Sequence, residues 1–200
     1  MSNDGVNEGR RRFLTGATTV VGAVGVVGAA VPFVGSWNPS AKARAAGAPV
    51  RVNISNLEPG ARMTVEWRGR PIYIVRRTPE ALDNLTTDRL SRQLRDPESA
   101  DSTQPAYVDP VTRSIRPEIL VMIGLCTHLG CAPLYRPEVG AQDLGGEDWL
   151  GGFFCPCHGS KFDLAGRVFR GVPAPTNLEI PPYTFESDSV LVVGLDEEAS

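Results

Sequence analysis

All of the cysteine and histidine in this chain lies in two short segments. The first, box 1, reads Cys-Thr-His-Leu-Gly-Cys over residues 126–131, and the second, box 2, reads Cys-Pro-Cys-His-Gly-Ser over residues 155–160. The chain has only four Cys and two His among its 200 residues. Since thiolate and imidazole are ligands for soft and borderline metals, the sequence predicts one metal site that two loops build together.

The ligand types leave two kinds of site open. One Cys and one His from each box make a Cys2His2 zinc set, although such a set needs no further cysteines. The other candidate is an iron–sulfur cluster, which also takes four ligands, and Cys126 with His128 supplies two of them from box 1. In box 2 the spacing alone does not decide whether Cys155 or Cys157 joins His158.

The full pattern, C-x-H-x2-C followed by C-x-C-H, resembles the cluster-binding signature of Rieske [2Fe–2S] proteins. The resemblance implies that a [2Fe–2S] cluster is held by two thiolates on one iron and two imidazoles on the other, which places its potential at roughly −150 to +300 mV. It assigns the ligands as Cys126, His128, Cys155 and His158. It also implies a disulfide between Cys131 and Cys157, which requires an oxidising compartment.

The N-terminal residues 1–12 contain an export-like motif. Arg10, Arg11 and Arg12 precede Phe13 and Leu14, and no further charge follows until Lys42. Paired arginines before a weakly hydrophobic Gly/Ala/Val run resemble a twin-arginine signal. Because that pathway exports folded proteins, it suits a cofactor that is inserted in the cytoplasm.

The apolar run over residues 13–37 predicts a single transmembrane anchor. At about 1.5 Å per residue it is long enough to cross a hydrocarbon core of about 30 Å. Residues 43–46, Ala-Arg-Ala-Ala, resemble a cleavage site, but the length of the run favours an uncleaved anchor. We therefore expect the N-terminus in the cytoplasm, the anchor in a bacterial inner membrane and the rest in the periplasm.

Residues 38–49 are rich in Ala, Gly, Ser and Pro, which predicts a flexible tether. Residues 50–200 have the length of one domain. The net charge of −3 and the absence of a basic tract beyond the arginine triplet exclude nucleic acid as a partner.

The tethered domain is predicted to be mainly β. Alternating segments at 63–67 and 71–75 flank a turn at 68–70, and residues 119–123 and 190–193 are apolar strands. Thr78 and Pro79 predict the start of one helix, which ends at Pro97. The Rieske resemblance implies an antiparallel β-sheet domain with a small cluster-binding subdomain at about residues 124–176.

Two further segments accompany the boxes. Residues 132–154, which contain five Gly, predict a solvated surface insertion that leads into a strand at Gly-Gly-Phe-Phe, residues 151–154. Residues 171–175, Gly-Val-Pro-Ala-Pro, resemble the proline loop that covers the cluster in Rieske proteins, and we use that name for them. Pro173 and Pro175 lack amide donors and restrict the backbone, so a rigid loop is expected.

The extra cysteine pair, export motif, anchor and tether together resemble the Rieske iron–sulfur subunits of bacterial cytochrome bc1 complexes. The resemblance implies that the chain takes one electron from quinol, with proton release, and passes it to cytochrome c1 in a respiratory or photosynthetic chain. His128 or His158 would accept a hydrogen bond from quinol held at the cytochrome b subunit. Leu129 would lie on the surface that docks with cytochrome b.

Two side chains that follow His158 in the sequence bear on the reduction potential of the cluster. Ser160 matches a family serine whose hydroxyl donates to a bridging sulfide. Phe162 stands where high-potential relatives carry a Tyr that donates to a ligand sulfur. Because one donor to sulfur is absent, the reduced and more negative cluster is less stabilised. We therefore predict a lower potential than in Tyr-bearing relatives.

Two alternatives stay open on sequence grounds. The small Rieske subunit of a periplasmic molybdenum oxidase, of the arsenite oxidase type, also combines a disulfide with a twin-arginine signal. An exported zinc-binding structural module would use the same Cys and His residues. The sequence predicts one redox centre and no substrate pocket. Under the bc1 hypothesis the chain is therefore a subunit of an oxidoreductase and not a complete enzyme.

Overall fold

The computed structural model describes residues 5, 7–41, 43 and 47–195. The chain divides into two compact units, residues 1–45 and 46–200. Lys42 and residues 44–46 lie outside the described residues. Most of the cleavage-like sequence and part of the predicted tether fall there.

The N-terminal unit contains helix α1, Glu8–Gly35. Its N-cap is Asn7, whose side chain accepts a hydrogen bond from the Arg10 amide, so the helix already includes the arginine triplet. At about 1.5 Å per residue, 28 residues span about 42 Å.

Helix α1 is apolar and buries none of its side chains in the protein. Its most apolar 18 residues have a mean hydropathy of 2.0, so by length and composition the helix is able to cross a membrane. The hydroxyls of Thr15, Thr18 and Thr19 each donate to the carbonyl four residues earlier. These bonds satisfy the hydroxyls within the helix, as a membrane interior requires. The helix therefore fits a single-pass membrane anchor.

The second unit contains three antiparallel sheets of three strands each. In chain order the strands are β1 Val50–Asn53, β2 Arg62–Trp67, β3 Arg70–Arg76, β4 Ile119–Ile123, β5 Leu134–Arg136, β6 Gly152–Cys155, β7 Ser160–Asp163, β8 Tyr183–Phe185 and β9 Val190–Val193. The sheets have the orders β1-β9-β8, β2-β3-β4 and β5-β6-β7. The predicted fold class, mainly β with an apolar N-terminal helix, is confirmed.

The β2–β3 hairpin agrees closely with the alternating pattern. Its turn is Arg68 and Gly69, both with positive φ (53° and 71°), as a two-residue type I′ hairpin loop requires. The predicted turn at 68–70 is one residue too long, because Arg70 already pairs with Trp67. Strand β4 is buried along its whole length, as its apolar sequence predicted.

The prediction of a single helix from Thr78 to Pro97 is wrong, because the structure has two short helices there. Helix α2 is Pro79–Leu85 and helix α3 is Asp88–Ser91. Thr78 caps α2 as expected, but the Thr87 side chain accepts a hydrogen bond from the Leu90 amide and so begins a second helix. A Thr side chain that caps competes with helix continuation.

The prediction of a solvated insertion over residues 132–154 is also wrong in part. The expected strand at residues 151–154 is β6, but β5 also lies in the segment, and short 3₁₀ turns at Gln142–Leu144 and Gly146–Asp148 connect the two strands. Leu144 and Trp149 are buried, and the Trp149 ring stacks on Phe169 with centroids 5.8 Å apart. The segment is therefore anchored to the core by these apolar side chains, while many of its other residues are exposed.

Buried arginines tie the turn after β7 to the rest of the domain. Arg77 donates to the carbonyl of Leu164 at 3.2 Å, and Arg113 donates to the carbonyls of Ala165 and Gly166 at 3.2 and 3.3 Å. Burial lowers the pKa of both guanidinium groups to about 10, so both stay charged at neutral pH. These bonds fix one end of the sheet that carries box 2.

Candidate metal centre

Both boxes lie at the ends of strands. Box 1 follows strand β4 and precedes β5, while box 2 forms the turn between β6 and β7. Cys155 and Ser160 are the last residues to pair across the β6–β7 hairpin. The sheet therefore holds both ends of box 2 in register.

Both boxes close by the same turn. The Gly130 amide donates to the Cys126 carbonyl at 2.8 Å, and the Gly159 amide donates to the Cys155 carbonyl at 3.0 Å. Both glycines have positive φ, 77° and 76°, a conformation that side chains disfavour. The glycine in each box is thus required by the turn that brings its Cys and His together.

The four cysteines divide into a disulfide and two free thiols. Cys131 and Cys157 form the disulfide, which joins the two boxes with Cα atoms 6.6 Å apart. Cys126 and Cys155 are free and buried, with 3% and 1% of their surface exposed. Although the sulfurs of Cys131, Cys155 and Cys157 lie within 4.8 Å of one another, two of them are bonded together. Cys155 is therefore the box 2 cysteine with a thiol available for metal.

The two imidazoles meet on the outer side of the boxes. Their ring centroids are 4.7 Å apart, and the planes cross at 87°. His158 is exposed and His128 is half-buried. Leu129, which follows His128 in box 1, is 71% exposed. The thiols thus lie inside and the imidazoles toward the surface.

These donors fit a [2Fe–2S] cluster with mixed ligation. The set contains two thiols and two imidazoles, as a Rieske centre needs. The Nδ1 atom of His128 is buried without a hydrogen-bond partner in the described part of the chain. A buried polar atom left in this way costs about 1–3 kcal/mol, which a metal ligand bond would remove. Burial, and then the adjacent Cys126 thiol, raise the pKa of Cys155, so binding iron releases its proton.

Side chains from both boxes contact the segment that follows strand β7. The Ser160 hydroxyl is buried and accepts a hydrogen bond from the Ala174 amide at 3.1 Å. The Thr127 hydroxyl donates to the Thr176 carbonyl at 2.7 Å. The proline loop therefore lies against both boxes.

Phe162 is completely buried in strand β7. It pairs with Phe153 across the hairpin and forms a bridge with Val168. Its ring makes the residue part of the core beneath box 2.

Three further residues contribute to this region and were not predicted from the sequence. Thr127 lies inside box 1, where a hydroxyl between Cys and His was a visible signal. The buried Arg113 and the exposed Arg95, which donates to two proline-loop carbonyls, carried no such signal. Their roles depend on contacts between residues far apart in the chain.

Comparison with known proteins agrees with this geometry. The family described as “Rieske [2Fe-2S] domain” matches residues 49–183, and “Ubiquitinol-cytochrome C reductase Fe-S subunit TAT signal” matches residues 1–40. The ubiquinol-cytochrome c reductase iron-sulfur subunit of Allochromatium vinosum is 59% identical, with 98% of this chain and 93% of that protein aligned.

More distant relatives carry related names. The subunit of the same name from Rhodospirillum rubrum is 41% identical, with 96% of each chain aligned. The “Cytochrome b-c1 complex subunit Rieske, mitochondrial” of Schizosaccharomyces pombe is 41% identical over 88% of this chain and 66% of its own. On its sequence, its fold and its donor set, the chain belongs to the family of Rieske [2Fe–2S] iron–sulfur subunits of ubiquinol–cytochrome c reductase.

Proposed function

We propose that this chain is the Rieske subunit of a cytochrome bc1 complex, which oxidises quinol and reduces cytochrome c1. The observation that carries the proposal is the pairing of two buried free thiols with two surface-directed imidazoles, tied by one disulfide. Family membership supports the same role.

The ligands divide by environment. The buried Cys126 and Cys155 would hold one iron, and His128 and His158, which lie toward the surface, would hold the other. When bound, the [2Fe–2S] cluster supplies a one-electron acceptor and donor. The disulfide between Cys131 and Cys157 keeps the two boxes together, so that both pairs of ligands stay oriented.

The imidazoles handle the proton. Each histidine binds metal through one ring nitrogen and leaves the other available. The exposed His158 and the half-buried His128 are the candidates to accept a hydrogen bond from the quinol hydroxyl and then its proton. Ser160, whose hydroxyl is buried beside box 2, would stabilise the negative charge of the reduced cluster as a hydroxyl donor to sulfide.

Leu129 serves the docking of this surface on cytochrome b. Its side chain is 71% exposed beside the histidines, and burial of an apolar side chain favours association. Quinol bound in cytochrome b would then meet the imidazoles at an interface from which Leu129 excludes part of the water.

The membrane arrangement follows from the N-terminal unit. Residues 1–12 stay in the cytoplasm, residues 13–37 cross the inner membrane once, and residues 38–49 tether the periplasmic domain of residues 50–200. The twin-arginine family match supports this direction of export. The periplasm also supplies the oxidising conditions that the disulfide requires.

Co-purification tests the proposal. A tagged full chain, extracted from its native membranes with mild detergent, is expected to bring b-type and c-type haem with it in a constant ratio. The control is the same extraction with a tag on an unrelated single-pass protein. Recovery with a molybdenum protein and no b-type haem would contradict the bc1 assignment.

A further inference from the structure

Few hydrogen bonds hold the proline loop, and side chains make most of them. A main-chain turn at Arg170 and Gly171 leads into the loop, and no main-chain to main-chain hydrogen bond from any described residue reaches residues 173–175. Pro173 and Pro175 have no amide to donate, and the loop belongs to no sheet. Ala174 is fully buried and Val172 packs against the core, and the other contacts that fix the loop are hydrogen bonds from a few side chains.

Two of those side chains come from the boxes themselves. Ser160 accepts from the Ala174 amide, and Thr127 donates to the carbonyl of Thr176, the residue after the loop. Both bonds join the loop to the metal centre. Ser160 is also the first residue of strand β7, so its bond ties the loop to the β5-β6-β7 sheet as well.

The third side chain is that of Arg95, which comes from outside the boxes. One guanidinium nitrogen donates to the Pro175 carbonyl at 3.1 Å and the other terminal nitrogen donates to the Val172 carbonyl at 3.4 Å. One planar group thus spans the loop. Arginine suits this role because its donors form a rigid fork.

The main chain of Arg95 is itself fixed. Its amide donates to the Val168 carbonyl at 2.9 Å, and the preceding Leu94 is fully buried and bridges Phe169. Arg170 adds a bond from its Nε atom to the Leu94 carbonyl at 2.7 Å. The guanidinium therefore starts from a rigid base, although the side chain is exposed.

We propose that Arg95 is a positioning residue for the metal centre: it holds the proline loop and, through the Ala174 amide, fixes the hydroxyl of Ser160. The effect on the redox centre rests on the function proposed above, whereas the effect on the loop does not.

The connection to Ser160 follows from the chemistry of a hydroxyl. A serine hydroxyl accepts hydrogen bonds at its lone pairs and donates one proton. While the Ala174 amide occupies a lone pair, the rotation of the hydroxyl is restricted and its proton is directed elsewhere. Ser160 is completely buried, so water does not replace a lost partner. A donor held toward cluster sulfur favours the more negative reduced form.

Three variants of the cluster-loaded full chain in detergent test the proposal. Arg95→Met removes the donors, and Arg95→Lys keeps the charge but loses the fork. Arg92→Met is the matched control, because Arg92 is exposed nearby and its side chain makes no hydrogen bond within the described residues. Hydrogen–deuterium exchange is measured on the peptide that covers residues 171–176.

We expect about fivefold faster exchange in both Arg95 variants, the factor that corresponds to a net contribution of roughly 1 kcal/mol from the hydrogen bonds. The Arg92 variant should exchange at the wild-type rate. Wild-type exchange in Arg95→Met, or equal acceleration in Arg92→Met, overturns the proposal. Wild-type exchange in Arg95→Lys alone overturns the role of the fork.

Redox titration then tests the connection to the metal centre. Both Arg95 variants should titrate at a lower midpoint potential than wild type and than Arg92→Met. Faster exchange with an unchanged midpoint would refute the transmission through Ser160. If the wild-type protein itself gives no EPR signal of a mixed-ligand cluster, the proposed function fails, while the exchange data still decide whether Arg95 holds the loop.

Discussion

The buried ion pair between Asp163 and Arg167 offers the sharpest test of what holds box 2 in place. Their side chains are 0% and 2% exposed, and Arg167 Nε donates to Asp163 Oδ2 at 2.7 Å. The other carboxylate oxygen accepts from the amides of Ala165 and Arg167 at 2.9 and 2.7 Å. One carboxylate therefore organises the whole turn after β7.

Asp163→Asn changes charge with little change in shape. The amide oxygen keeps the two main-chain bonds, but its NH2 group faces Arg167 Nε, so two donors oppose each other. The guanidinium stays buried by its bonds to the carbonyls of Pro97 and Leu85. Loss of one partner of a buried pair costs about 3–5 kcal/mol, a large part of a total stability of about 5–15 kcal/mol.

The assay is thermal loss of the visible absorbance of the loaded protein, compared with an exposed pair as control. Arg89 and Asp148 form that pair, with side chains 50% and 65% exposed, so Asp148→Asn should cost no more than about 1 kcal/mol. We expect a much lower midpoint temperature for Asp163→Asn alone. Equal midpoints for the two variants would refute the argument that burial makes the pair essential.

Three further outcomes are expected. Phe162→Tyr adds a hydroxyl donor near the ligand sulfurs, so redox titration should give a higher midpoint than wild type; an unchanged or lower value refutes the prediction. Gly124→Ala would place a Cβ 2.5 Å from the Tyr73 ring, so thermal unfolding should reveal a loss of about 1–3 kcal/mol, and wild-type stability would show that the ring moves freely. Replacing both Cys131 and Cys157 by Ser opens a loop with a sequence separation of 26 residues and should cost roughly 3.5 kcal/mol in chemical unfolding, whereas a loss below about 1 kcal/mol would mean that the boxes hold together without the disulfide.

Much of the site was predictable because its chemistry is local in sequence. Each box places a Cys, a His and a turn-forming Gly within six residues, and the alternating pattern of β2 and β3 marks the hairpin. Strand β4 was predicted because its five residues are all apolar, and all five are buried in the structure. The ligand spacing identified which residue types meet, and the Rieske resemblance assigned each its role.

The remaining features depend on contacts between distant parts of the chain. The insertion was predicted to be solvated because it is rich in glycine and charged residues. The pattern gave no sign that Leu144 and Trp149 would be buried. The break between α2 and α3 depends on a cap by Thr87, which competes with the apolar spacing of the leucines. The exposed Arg95 has no pattern of its own, because its role is set by carbonyls about 80 residues further along the chain.

The ligand set is the central claim, and pulsed EPR of the reduced protein tests it most directly. The full chain is produced with ¹⁵N-labelled histidine, and the spectrum is compared with that of the unlabelled protein. We expect hyperfine coupling from two imidazole nitrogens that changes on labelling, and chemical analysis should find iron and acid-labile sulfide in equal amounts. A cluster without histidine coupling, or a protein that contains zinc and no labile sulfide, would contradict it.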